Sequence, residues 1–123
     1  MLLKRSEAAE QRRLFRWAKH INRLEWMFAV PNGGFRTKRE AFNLKLQGVK
    51  AGVADIFIPV PNSKYHGFFL EMKVRGNKPS KLQNDFLCFV SRYGYFAKVC
   101  YSCDEAIKEI NNYLKDVDTI VPC

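Results

Sequence analysis

Two short apolar runs, 54–60 and 67–74, broken by Pro61, Asn62 and Ser63, constrain this chain more than any other stretch. Runs of this length bounded by Pro, Asn and Gly read as two strands of a hairpin with a loose, polar tip. Positions 55 and 71 are equidistant from Ser63, so pairing about that residue sets Asp55 opposite Glu71. Side chains alternate along a strand, so Glu71 and Lys73 share one face while Phe68, Leu70 and Met72 share the other. Asp55, Glu71 and Lys73 therefore gather on one side of an apolar hairpin. Burying them is costly unless they are paired or hold a cation, and a hard divalent metal between Asp55 and Glu71 would meet that need. The plainer alternative is a salt-bridged hairpin in which Lys73 neutralises Glu71 and Asp55 caps a strand end.

The chain has 123 residues, which suits a single domain with one core. No apolar run is long enough to span a bilayer, and the charges at Lys4 and Arg5 argue against a secretory leader, so a cytoplasmic location is expected. A net charge of +9 favours a polyanionic partner: DNA, RNA or an anionic membrane surface. Arg12, Arg13, Arg16, Lys19 and Arg23 fall on the first helix, where some of them are simply a solvated face. Cys100 and Cys103 form a Cys-x-x-Cys pair, but a structural zinc needs a second pair; reduced thiols are the expectation.

Apolar spacing predicts a helix from Ser6 to about Leu24 and a short strand over 26–30, which stops at Pro31-Asn32-Gly33-Gly34. Thr37 and Glu40 form a capping box for a basic helix ending near Gln47 and Gly48. After the hairpin come a basic turn with Arg75 and Lys78 and a helix over 80–93, followed by a strand over 95–101. Ser102 then opens a last helix reaching Leu114. This alternation predicts an α/β domain with a mixed sheet flanked by helices, over 1–116, followed by a tail at 117–123. Lys50, Arg36, Lys38, Arg75 and Lys78 are candidate nucleic-acid contacts, and the glycines beside Asn32 allow close approach to a phosphate.

Asp55 followed by Glu71-Met72-Lys73 resembles the Asp and Glu-x-Lys signature of PD-(D/E)xK metal-dependent nucleases, with Val53-Ala54 in place of the usual Pro before the Asp. The flanks are similar to one branch, the virus-type replication-repair nuclease (VRR-NUC) domain. They are Ser6-Glu7, Pro31-Asn32-Gly33, 47–52, Ser80 with Gln83, and Tyr93-Gly94-Tyr95, in that order and over almost the whole chain.

The resemblance implies a restriction-endonuclease-like fold and hydrolysis of phosphodiesters with Mg2+ or Mn2+. It makes Asp55, Glu71, Lys73 and Gln83 catalytic, Glu7 and the Met72 carbonyl further metal ligands, and Asn32 a positioning residue. Two of these have ordinary readings as well: Glu7 as a first-turn acid, and Gln83 as the return half of a capping box with Ser80. Small standalone members resemble Holliday-junction resolvases, so the resemblance implies a homodimer acting on branched DNA, a four-way junction above all, in phage or prophage recombination and repair, with no nucleotide cofactor. A flap or non-selective nuclease is the nearest alternative, and a non-catalytic nucleic-acid-binding module the more distant one.

Overall fold

Wherever a capping residue precedes an apolar repeat, a helix starts at the next position. In the computed structural model, which describes residues 6–31 and 36–117, Ser6 caps α1 (Glu7–Ala18) and Thr37 caps α2 (Lys38–Leu46). Ser80 caps α3 (Lys81–Arg92) and Ser102 caps α4 (Cys103–Leu114). Each cap hydroxyl accepts from the backbone N–H three residues on, which satisfies a donor the helix itself cannot.

Helix α1 ends earlier than its apolar spacing suggests. Beyond Ala18 the bonds run back three residues, from His20 to Trp17, Ile21 to Ala18, Leu24 to Ile21 and Met27 to Leu24. The buried residues Ala18, Leu24 and Met27 keep step with those tight turns, so the apolar repeat continues without an α-helix. Arg23 turns the chain there with φ of 80° and donates through its guanidinium to the Leu114 carbonyl at 3.1 Å. This leaves only β1 (Phe28–Ala29) of the longer strand expected at this place.

The hairpin forms in the expected register. Its strands β2 (Ile56–Ile58) and β3 (Phe68–Met72) pair antiparallel with Ile56 opposite Leu70 and Ile58 opposite Phe68. Extending that register by one residue places Asp55 opposite Glu71. Pro59, which has no N–H to give a ladder, stops β2 after Ile58. The tip, expected to be loose, is stitched down. Asn62 Oδ1 accepts from the N–H groups of Lys64 and Tyr65, Ser63 N–H donates to the Asp116 carbonyl, and Tyr113 Oη donates to Val60 O at 2.6 Å. Strand β4 (Phe96–Cys100) completes the sheet in the order β1-β2-β3-β4, antiparallel except for the β3–β4 pair.

The result is the expected α/β domain, a mixed sheet flanked by helices. Helices α1 and α4 cover one face, where Leu14, Ala106 and Ile110 pack against Ile56, Phe68 and Leu70. Cys100 and Cys103 belong to this core, and burial pushes the Cys100 thiol up to about 12. The other face carries Phe57, Phe69 and Tyr95, with α3 laid over it so that Phe86 meets Phe69 edge-on at 5.0 Å. Val117 packs on the core at the expected domain boundary; 118–123 lie outside the described residues. No helix among the described residues is long and apolar enough to cross a membrane.

Two glycines with left-handed backbone separate conformation from contact. Gly48 has φ of 98° and open space around it; Gly52 has φ of 93° and lies so close to α3 that an added Cβ would stand 2.8 Å from the Leu82 backbone. Gly48→Ala is expected to cost only the left-handed strain, about 1–2 kcal/mol. Gly52→Ala should cost ~1–3 kcal/mol more, because two backbones must separate. Urea unfolding of both variants checks this, and equal losses would show that the close approach gives way freely.

Candidate active site

Asp55 and Glu71 hold each other's strands. Glu71 Oε2 accepts the backbone N–H of Asp55 at 3.2 Å, and Asp55 Oδ2 accepts that of Met72 at 2.9 Å. Each carboxylate thus closes the ladder just beyond the last paired residues of β2 and β3. Glu71 is only 1% exposed. Its second oxygen, Oε1, accepts from Gln83 Nε2 at 2.9 Å.

Gln83 completes the capping box read for it and also reaches the Glu71 carboxylate. Its Oε1 accepts from the Ser80 N–H at 2.8 Å, completing the capping box, while its Nε2 points at Glu71. A backbone donor on one side and a carboxylate on the other also fix which end of the amide is oxygen. The N-terminus of α3, the positive end of its dipole, therefore arrives beside the buried carboxylate.

Lys73 extends from the same face of the sheet as Glu71, as strand alternation requires. Its side chain is 16% exposed, and Nζ lies 3.9 Å from Glu71 Oε1 and 3.9 Å from Glu7 Oε1. Such separations make loose ion pairs, so Lys73 is not spent on a single partner. Glu7 enters the site through Lys73, one turn before Gln11 on α1, which lines the same cleft. Position 11, four residues after Glu7 on a helix, carried that signal by spacing alone.

The charge of the carboxylate pair is set by burial as much as by its neighbours. Burial first, and then the negative charge of Asp55, push Glu71 up from its ordinary 4.5 to about 8; Lys73 offsets only part of this. Lys73 thus offsets part of the cost of the buried carboxylate at 3.9 Å and leaves the rest to burial and Asp55. Near neutral pH the site carries a carboxylate that must hold a proton or meet another cation. Among the described residues no three His, Cys, Asp or Glu side chains cluster in a way that could hold a metal by themselves, so the carboxylate set here is a pair. The donors at hand are nonetheless hard oxygens, from Asp55, Glu71 and the adjoining Met72 carbonyl. This set fits Mg2+ or Mn2+, which keep several waters, far better than zinc.

Around these groups opens a cleft of about 680 Å³, walled by α1, the 51–53 segment and the start of α3. A second groove of about 490 Å³ lies between α2 and the same segment and is lined by Arg36, Lys45 and Lys50. Ala51 and Leu82 line both, so the basic groove leads into the acidic cleft. Arg36 is anchored there by a 2.6 Å bond from Nη2 to the Pro31 carbonyl. Lys45, counted in the sequence only as one basic residue among many, gains its place from the fold. Lys38, Arg75 and Lys78 are exposed but line neither the cleft nor the groove, and Asn32 lies outside the described residues. Some of the basic charge on α1 is structural, since Arg13 pairs with Asp104 at 3.2 Å.

The VRR-NUC domain family model matches residues 5–104. A solved structure of a VRR_NUC domain protein is similar with a TM-score of 0.83 and 28% identity, over 95% of this chain and 94% of that one. No curated protein matches the chain.

A raised carboxylate value fixes the sign of a stability measurement. The folded chain keeps a proton on Glu71 that the unfolded chain releases, so without divalent metal the Glu71 contribution is most favourable below about pH 4.5. Stability is then lost as pH rises toward about 8. Thermal unfolding in EDTA should show this decline, and Glu71→Gln should flatten it. A wild-type midpoint that rises over the same window would contradict the assignment.

Proposed function

The chain belongs to the VRR-NUC domain family, nucleases of the PD-(D/E)xK type, and from this we propose that it is a Mg2+- or Mn2+-dependent DNA endonuclease selective for branched substrates. The observation that carries the reading is the buried Glu71 beside Asp55, still short of positive charge with Lys73 in place. Asp55, Glu71 and the Met72 carbonyl would hold the metal, with Glu7 at the far side of Lys73. When bound, such an ion neutralises charge on the scissile phosphate and lowers the pKa of water.

The protein groups divide the remaining work. Gln83 keeps Glu71 turned into the cleft by bonding Oε1, while Asp55 fixes β3 through the Met72 N–H. Lys73 Nζ, held loosely between two carboxylates, can orient the attacking water and donate to a phosphate oxygen as negative charge develops. Arg36, Lys45 and Lys50 supply a basic approach along which a phosphate backbone can lie.

A four-way junction is the proposed substrate and a homodimer the proposed working form. Two identical active sites related by a two-fold axis suit two symmetric cuts. The setting would be DNA recombination and repair in a bacterial or phage-infected cytoplasm.

Labelled four-way junction, flap, single-stranded and linear duplex DNA, incubated with Mg2+, Mn2+ or EDTA, test this. Symmetric, metal-dependent junction nicking is expected. Lys73→Ala should lose at least about a hundredfold in rate, and Asp55→Ala should lose more. Equal cutting of every substrate would remove the junction preference; cutting that survives EDTA or both substitutions would overturn the assignment of the site.

A further inference from the structure

On the α1 side of the active cleft lies a recess that the chemistry above does not use. It has a volume of about 370 Å³ and is lined by Ala8, Gln11, Arg12, Phe15 and Ala29. Ala8, Gln11 and Ala29 also line the cleft, so the two open into each other, whereas Arg12 and Phe15 are no part of the cleft. The basic groove meets the cleft at other residues, Ala51 and Leu82. Groove, cleft and recess therefore form one continuous track, with the cleft between the other two.

Helical spacing builds the recess. Ala8, Arg12 and Phe15 follow one another at intervals of four and three residues and so share one side of α1, next to the side that carries Glu7 and Gln11 to the cleft. Side chains of a helix lean toward its N-terminus, which tips Arg12 and Phe15 toward the Glu7 end, where Lys73 lies. Phe15 is half-buried and packs against the core, so its ring is held in place while it borders the recess.

The charges of α1 are unequally engaged. Arg13 lies 3.2 Å from Asp104 and 3.8 Å from Glu10, and Glu7 lies 3.9 Å from Lys73. Arg12 is exposed and has no ion pair or hydrogen bond among the described residues; Arg16, one turn on, is exposed as well. The recess thus combines an aromatic ring and two alanines with an uncommitted guanidinium, and no carboxylate lines it. Apolar walls alone would suit any hydrophobic group. An open connection to the cleft and a cation at the rim, on a chain of net charge +9, select a group that arrives with a phosphate attached.

We infer that the recess takes one unpaired nucleobase of the strand being cut, its face against Phe15, with Arg12 on the phosphate beside it. The inference rests on the nuclease reading above for the position of the strand, and it adds a cause for selectivity among DNA structures. Every base has a π-face, so the Phe15 ring accepts any of them. The Gln11 amide offers both a donor and an acceptor to a base edge and imposes no single choice. A base inside a continuous duplex is covered on both faces and must leave the stack to reach Phe15; a base in a single strand or at a branch point is already free. The recess therefore favours branched and single-stranded DNA over linear duplex without reading sequence.

Binding measured by fluorescence anisotropy in EDTA, apart from cleavage, tests this. Labelled oligothymidylate and an abasic strand of the same length carry the same phosphates and differ only in their bases. Wild type is expected to bind the first at least ~tenfold tighter. Phe15→Leu should remove most of that preference by weakening the oligothymidylate alone, and Phe15→Trp should keep it. Arg12→Ala should weaken both strands alike and lower the salt dependence by about one phosphate. Phe15 also packs on the core, so Ala8→Leu supplies a second route: it fills the recess from an exposed helix position and should erase the preference as well. Equal wild-type affinity for the two strands overturns the proposal. So does a preference that survives both Phe15→Leu and Ala8→Leu, or a loss in Phe15→Leu that the abasic strand and linear duplex share in full. Cleavage is scored separately: a base preference without cleavage sinks the nuclease reading and leaves the recess as a base site, while metal-dependent cleavage without the preference does the reverse.

Discussion

Two carboxylates that each bond the backbone of the other's strand hold this domain's working parts in place. Glu71 takes the Asp55 N–H and Asp55 takes the Met72 N–H, at the point where the β2–β3 ladder would otherwise end. The bonds fix both side chains to main chain rather than to mobile partners. From Glu71 the constraint passes to Gln83, and through it to the start of α3. Close contact between Gly52 and Leu82 presses the segment before β2 against the same helix end. Cleft, capping box and hairpin are therefore one mechanical unit, and a change at any of the three reaches the others.

That unit is electrostatically unfinished. Desolvation and the neighbouring Asp55 charge hold a proton on Glu71 well into the neutral range, and Lys73 is shared with Glu7. A domain built only for stability would gain by replacing such a buried cluster with apolar side chains. Its place at the end of a basic groove is what the proposed nuclease reading requires, since there a negative phosphate and a positive ion would meet.

Much of this was legible in the chain because the deciding signals are local. Ser6, Thr37, Ser80 and Ser102 mark helix starts through their own hydroxyls, and the symmetry of 55 and 71 about Ser63 gives the hairpin register without knowledge of anything else. What escaped depends on distant residues. The end of α1 was misplaced because an apolar repeat of three mimics a helical one once tight turns replace the helix. Pro59 shortened β2, and α4 pinned a tip that its polar composition made look loose. That Gln83 can cap Ser80 and still reach Glu71 was hidden in the sequence because the distance from Ser80 to Glu71 is a property of the fold; one amide bonds both. Likewise Arg12 and Phe15 are visible as one basic and one apolar residue of a helix, but that they border a recess opening off the cleft depends on how the helix lies on the sheet.

Anomalous diffraction from crystals soaked in Mn2+ tests directly whether Asp55 and Glu71 form the proposed cation site. A manganese peak is expected between the two carboxylates and the Met72 carbonyl, absent in Asp55→Ala. A cleft without manganese in well-ordered soaked crystals, or a peak unaffected by that substitution, would contradict it.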